Sequence, residues 1–419
     1  MVAAKIEDDS GMVVVVVEYG GGGGDMFQLY LSQSEWDFDS KISQWLSYAV
    51  ENKVEDLVLY SVGEGVTYEL PLSIYTCSSL ELSAWVFDEG LVIAWNSLKS
   101  LKLDLIGLDD DDIVNLLSGC PALETLGFSY FWGFRRLEIT SSNLKRLILA
   151  DYSSSHGGRY DSLEIIAPHI QHFEISGDLG YLKCRLVNVS SLVTANLSFS
   201  VSCITDGWEE DSCRDQHQVF RNLVLDYFQK LSCATELIIG SWIAEVVFML
   251  QLEGVMLPEL KCKCLTLKWL VREYNLYGIA SLLQTSPLLE SLNIHIKTEC
   301  KDPPCLLEQS YFAEVDNINL LSWIPNTVFP SLRNAKIVGC LWFCLKKWSK
   351  GDFCKLFELS KCLLKNAVAL QKFVIVAKRR KCGICSQSCV SRHLSGLAKK
   401  LIDSQRSSTN FAVVYQEFA

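Results

Sequence analysis

The residues best suited to chemistry lie near the C-terminus, in CGICSQSCVSRH (382–393). Cys382, Cys385, Cys389 and His393 are spaced C-x2-C-x3-C-x3-H, and thiolate and imidazole are the ligands from which tetrahedral zinc sites are built. The spacing matches no standard zinc finger, and KRRK (378–381) puts positive charge beside the place a cation would occupy. A loop of reduced thiols between a strand and a helix is the favoured reading, with a zinc site as its alternative. His169 and His172, in HIQH, read as a surface polar pair, because no carboxylate or cysteine nearby in sequence completes a ligand set. Cys300 and Cys305 in CKDPPC read as part of a surface loop. The run Asp109 to Asp112 resembles a cation site only at first sight, since consecutive aspartates on a helix diverge; a helix start is expected there, with Gly119 as a left-handed stop and Pro121 preventing resumption. Gly20 to Gly24 lack the Lys-Ser/Thr that a phosphate-binding loop requires, and no G-x-S-x-G or H-E-x-x-H motif occurs. No catalytic set is expected and no cofactor is implied.

These side chains must be positioned by a chain of 419 residues, 49% of it apolar and 21% charged, which is enough to bury a sizeable core. A formal charge of −11 argues against a nucleic-acid partner. Val13 to Val17 is far shorter than the ~20 apolar residues that cross a bilayer, and no secretory leader pattern precedes it, so a soluble protein of the cytoplasm or nucleus is expected, with no membrane partner. In that setting the 17 cysteines are expected to be reduced, serving as small buried hydrophobes.

The organising signal is repetition. LLSGCPALETLGF (116–128) returns as LLQTSPLLESLNI (282–294) and more loosely as LLKNAVALQKFVI (363–375). Each reads as a helix end, a stop and a strand in which apolar residues alternate. The strand signature recurs at VEDLVL, SSLEL, LKSLKL, LETLGF, LKRLIL, IQHFEI, ANLSF, ATELII, CKCLTL, LESLNI, LRNAKI and LQKFVI. Its anchors Leu57, Leu80, Leu101, Leu126, Leu147, Phe173 and Leu197 lie between 21 and 26 residues apart, and beyond Leu197 the spacing widens to admit loops or extra helices. Leucine-rich repeats run at about 20–29 residues with an LxxLxL strand. One such unit cannot bury its own apolar face, but stacked units share a continuous core. The expected fold class is therefore an α/β leucine-rich-repeat solenoid, with a curved parallel sheet on the concave face and short helices and loops on the convex face. Residues 1–25, with five valines and five glycines in runs, are expected to be a disordered head, and 26–324 irregular repeats.

The order of these motifs resembles the plant F-box proteins that carry leucine-rich repeats and a C-terminal FBD-type region. SKISQWLSYAVENKVEDLVLY (40–60) is similar to the segment that opens the repeats in that family, and LLSGCPALETL to its helix-to-strand signature. FPSLRNAKIVGC (329–340), LLKNAVALQKFVIV (363–376) and LIDSQRSSTNFAVVY (401–415) resemble the FBD end, in which a last helix feeds a closing strand; the resemblance places that region at 325–419. It implies a protein that is not an enzyme but the substrate-recognition part of an Skp1–cullin–F-box ubiquitin ligase. Residues 1–25 are too short to be an F-box, so an Skp1-type adaptor is implied as partner only for a longer form.

With the leucines turned inward, alternate residues face out. The outward set comprises Asp56, Glu81, Lys102, Asp104, Arg146, His172, Glu174, Asn196, Glu236, Lys268, Asn293, His295, Lys336 and Lys372, polar and of mixed sign. This is the expected partner-binding face. Two readings stand: a non-catalytic protein-binding module of the ubiquitin-ligase kind, and a zinc- or small-ligand-binding repeat protein, with a truncated copy lacking any role as a further alternative.

Overall fold

Alternation of leucine with polar residues makes a strand the natural state of each repeat start, because only one of its faces has to leave water. The computed structural model describes residues 2–7, 13–19, 26–32, 46–47, 49, 51, 54–62, 77–85, 93–153, 161–202, 210–270, 273–297, 328–339, 350–378, 389–404 and 412–418. The chain divides into two compact units, Met1–Ser191 and Leu192–Ala419. All twelve strands expected from the repeat are present.

The first unit begins with β1 (Val2–Glu7), β2 (Val13–Tyr19) and β3 (Met26–Ser32), of which β1–β2 and β2–β3 pair antiparallel. The head expected to be disordered thus contains two strands; for β2 the physical reason lies in Val13 to Val17, whose branched Cβ favours extended backbone, and β1 pairs onto it. Then follow β4 (Asp56–Val62), β5 (Ser79–Ser83), β6 (Ser100–Asp104), β7 (Gly107–Leu108), α1 (Asp110–Gly119), β8 (Thr125–Gly133), β9 (Arg136–Glu138), β10 (Arg146–Tyr152), β11 (Asp161–Ile166), β12 (His172–Asp178) and β13 (Leu182–Asn188). The order β3–β4–β5–β6–β8–β10–β12 is parallel throughout and follows the chain. Its register stacks Phe27, Leu57, Leu80, Leu101, Leu126, Leu147 and Phe173 in one column, and Leu29, Leu59, Leu82, Leu103, Phe128, Leu149 and Ile175 in the next. None of the fourteen is more than 2% exposed. The return segments were not legible as strands, yet β9, β11 and β13 pair in parallel as a sheet of their own. Leu137, Ile165 and Leu186 are its buried column.

The second unit contains β14 (Thr194–Ser200), α2 (Glu210–Leu231), β15 (Glu236–Gly240), α3 (Ser241–Leu252), β16 (Cys264–Leu270), α4 (Glu273–Gln284), β17 (Ser291–Lys297), β18 (Asn334–Gly339), α5 (Lys350–Asn366), β19 (Lys372–Lys378), α6 (Cys389–Ser404) and β20 (Ala412–Phe418). Its strands pair in parallel in chain order from β14 to β20. The ladder runs on from β17 to β18, so the boundary expected at 324/325 is not where the compact units divide. Register also shifts one expected anchor: Ala195, not Leu197, stands opposite Leu237, and Leu197 pairs with Ile239 in the second column. Helices form the return segments here. In α3 every residue from Trp242 to Leu250 is buried, Glu245 among them, as befits a helix otherwise apolar on all sides. It meets α4 so closely that a Cβ on Gly278 would run into the Ala244 carbonyl oxygen.

The repeated helix–stop–strand phrase is the same structure three times. Leu123, Leu289 and Leu370 are buried, and their N–H groups donate to Cys120, Ser286 and Ala367 respectively, at 3.2, 3.3 and 3.2 Å. One correction concerns the stop. Gly119 is not left-handed; it closes α1 as a helical residue, and Cys120 after it has φ −121°. Glycine is required because a Cβ there would strike the Ile93 carbonyl.

Candidate partner-binding face

The outward residues of β5, β6, β8, β10, β12 and β15 to β19 are held by strands whose starts are fixed in the same way. One carbonyl of the preceding repeat accepts two successive N–H donors: Lys99 from Glu124 and Thr125 (2.8 and 2.9 Å), Lys263 from Glu290 and Ser291 (2.8 and 2.9 Å), Arg333 from Gln371 and Lys372 (2.8 and 3.1 Å). This clamp sets register to the residue, so outward side chains form true rows.

In the first unit, Gln28, Val58, Glu81, Lys102, Gly127, Ile148 and Glu174 make one outward row, and Asp56, Ser79, Ser100, Thr125, Arg146 and His172 another. Lys102 pairs with Glu81 at 3.3 Å, and the Tyr60 hydroxyl donates to the same carboxylate at 2.8 Å. Asp104 accepts from the Ser83 hydroxyl at 2.7 Å. Lys102 and Arg146 are exposed, while Asp56, Asp104, His172 and Glu174 are half-buried. His169 is exposed ahead of β12, and half-buried His172 occupies its first position.

A further row was not anticipated. Two residues past the second buried column, Ala84, Leu105, Tyr130 and Asp151 have φ of 56°, 53°, 47° and 48°, and Gly177 follows with φ 80°. Left-handed backbone is unfavourable for residues with a Cβ. Here it is held by neighbours: Ala84 N–H donates to Asp104 O (2.9 Å) and Leu105 N–H to Ser129 O (3.0 Å). The turn leaves Leu105 and Tyr130 46% and 49% exposed in adjacent repeats. The only hint in the sequence was apolar side chains standing just past the strand pattern.

In the second unit, Glu236 is exposed and lies opposite half-exposed Cys264. Lys268 stands opposite Gly240 and reaches across it, donating to the Ser198 hydroxyl at 3.0 Å and to Asn196 Oδ1 at 3.5 Å. Asn196 is consequently buried, a correction to its place among exposed outward residues, since parity cannot register a neighbour's side chain folded over it. Asn293 donates to Thr266 Oγ1 at 3.3 Å. His295 is half-buried beside Lys268, and Lys336 and Lys372 are exposed.

Of the Cys/His cluster, Cys382 and Cys385 lie outside the described residues, as do Cys300, Cys305 and the Gly20–Gly24 run. Cys389 opens α6 and His393 follows one turn later. Among the described residues no group of three or more His, Cys, Asp or Glu could hold a metal ion, and no helix is long and apolar enough to cross a membrane. Cys77, Cys120, Cys184, Cys262 and Cys362 are buried, as expected for core thiols, whereas Cys233 is exposed and Cys264 half-buried. Burial pushes the thiols of Cys120 and Cys184 up to about 12 and that of Cys77 up to about 11, so they are poor nucleophiles near neutrality.

In-register LxxLxL strands with buried leucine columns define the class: an α/β leucine-rich-repeat protein. A family model described as At1g61320/AtMIF1, LRR domain, matches residues 20–414, and the chain belongs to that family. The chain is similar to the F-box/LRR-repeat protein At3g03360 of Arabidopsis thaliana, with 30% identity over 268 residues, which is 62% of this chain and 53% of the relative. It is 31% identical over 261 residues to the F-box/LRR-repeat protein At5g02910 of the same plant, covering 60% and 53% of the two chains. With the putative F-box/LRR-repeat protein At5g02930 it shares 27% identity over 299 residues, 69% of this chain and 62% of the relative. The matched region thus spans between about half and three fifths of these relatives. The F-box/LRR resemblance read from the sequence stands.

Proposed function

We propose that the chain is the target-binding part of an adaptor in an Skp1–cullin–F-box type of ubiquitin ligase, acting in the cytoplasm or nucleus. It holds a protein on the outward sheet face and breaks no bonds itself. An Skp1-type partner would join through an F-box in a longer form, and residues 325–419 would serve as an FBD-type end. Support comes from the F-box/LRR names of the relatives. The observation that carries the reading is the exposed pair Leu105 and Tyr130, held on constrained backbone beside exposed Lys102 and half-buried Asp104. Tyrosine is among the residues enriched at binding hot spots, and an apolar centre within a polar rim is the usual anatomy of an interface.

The test is affinity capture with the chain alone and with an F-box fused to its N-terminus, followed by quantitation of a retained protein that crosslinks directly to the chain. Leu105→Ala with Tyr130→Ala is expected to weaken that protein's binding by about 2 kcal/mol, roughly thirtyfold. Failure of both forms to retain any directly crosslinked protein would sink the reading.

A further inference from the structure

The outward face of the second unit is basic in a chain whose formal charge is −11. On β16 to β19 the outward positions, taken every second residue in register, hold no Asp or Glu and no Phe, Tyr or Trp. They do hold Lys268, His295, Lys336 and Lys372. Register places these on a diagonal. Lys268 is opposite His295; Lys336, opposite Asn293, lies one strand on and one outward position back; Lys372, opposite Asn334, takes the same step again. With strands about 4.8 Å apart and a rise of about 3.3 Å per residue, the track is roughly 20 Å long, the span of about six extended residues. Among the described residues, carboxylates lie at its margins: Glu236 on β15, and Glu290 ahead of β17, which is paired with Lys263 at 3.3 Å. Charges more than about 8 Å away are screened at physiological salt, so a ligand on the track meets the lysines and not the chain's overall negative charge.

We propose that this diagonal is the docking site for an acidic, extended segment of a partner protein. The inference rests on the reading of the sheet face as a protein-binding surface, and it names the chemistry of what binds there. The exposed Lys336 and Lys372 ammonium groups would meet Asp or Glu side chains, while that of Lys268, at the end of the track, stays on Ser198 and Asn196. The Asn293 and Asn334 amides, uncharged and beside the track, suit the peptide groups between them. A polypeptide is favoured over a single-stranded nucleic acid because no Phe, Tyr or Trp is placed here to stack a base, the half-buried His295 being the one ring on the track.

The experiment uses the full chain and three labelled probes in fluorescence anisotropy: a peptide of Asp and Glu alternating with Ser and Gly, its Asn/Gln counterpart, and a single-stranded oligonucleotide. The acidic peptide is expected to bind at least about tenfold more tightly than its amide counterpart, and to lose about tenfold on raising salt from about 0.05 to 0.5 M. Lys336→Glu with Lys372→Glu should abolish that preference, while Lys336→Arg with Lys372→Arg keeps it. Equal binding of the two peptides by the unmodified chain overturns the proposal without reference to any variant, and tighter binding of the oligonucleotide overturns the choice of partner. The parent reading is tested separately. If Lys336→Glu/Lys372→Glu still captures the crosslinked protein that Leu105→Ala/Tyr130→Ala loses, the track inference falls and the protein-binding reading stands.

Discussion

At the scale of single residues, two glycines of one type have opposite roles. Gly119 and Gly396 are both helical, and an exposed helix position is stabilised by about 0.5–1 kcal/mol when glycine becomes alanine. Gly396 in α6 has open space around its Cβ direction, so Gly396→Ala should raise stability by that amount. Gly119 lies against the backbone of Ile93, which cannot swing aside as a side-chain tip would. Gly119→Ala should therefore lower stability by about 1–3 kcal/mol, the cost of overpacking exceeding the gain in helix propensity. Urea unfolding midpoints of the two variants check the difference in sign; a stabilised Gly119→Ala would show that the α1–Ile93 approach is not tight. From sequence alone Gly119 looked like a left-handed stop, because a glycine followed by proline two residues later serves that purpose in many helices. What decides its role is a carbonyl 26 positions earlier, at Ile93, which no local pattern reports.

At the scale of elements, the four aspartates that suggested a cation site divide into separate tasks. Asp109 caps α1, accepting from Asp112 N–H at 2.8 Å, while Asp112 accepts from Asp109 N–H at 2.9 Å. Asp110 ties the helix to the side sheet, one oxygen accepting from the Arg135 and Arg136 N–H groups at 2.7 and 3.0 Å. Asp111 is exposed. Asp109→Ala should cost about 1 kcal/mol, Asp110→Ala about 1–3 kcal/mol for the two donors left behind, and Asp111→Ala under about 0.5 kcal/mol. Chemical denaturation of the three variants should return that order, and equal losses would mean the run acts only through net charge. The strands of the main sheet were legible because Leu101 and Leu103, or Leu292 and Ile294, alternate over a buried face with a leader leucine three residues earlier. RLE in β9 and LKCRLVN in β13 have alternation without the leader, and β9 is only three residues long. Their identity as a sheet depends on pairing with DSLEII in β11, a contact between separate repeats. The candidate face was legible by parity for Lys102, Arg146, Lys336 and Lys372. It failed at Asn196, covered by Lys268, and at Leu105 and Tyr130, which a left-handed turn rather than strand alternation brings to the surface.

At the scale of the molecule, each unit is an array in which a strand pairs only with the repeats before and after it, and this shapes how it opens. Leu126 in β8 has Leu101 on one side and Leu147 on the other, all fully buried. Leu126→Ala removes about 2–5 kcal/mol of packing and leaves a cavity shared by three strands. In a domain that unfolds as one block, that loss would be felt equally by every amide that exchanges through global opening. In an array with nearest-neighbour coupling it should be greatest beside the cavity and fade with each repeat. Hydrogen exchange followed by mass spectrometry is expected to show the largest loss of protection in β6, β8 and β10, with smaller losses in β4 and β12. The clamps formed by the Lys99 and Glu124 carbonyls, each accepting two N–H groups from the next repeat, are the bonds through which the loss would spread. Equal loss from β4 through β12 would show instead that the first unit opens as one cooperative body. The row of exposed residues would then depend on the whole unit, rather than on the two repeats that hold Leu105 and Tyr130.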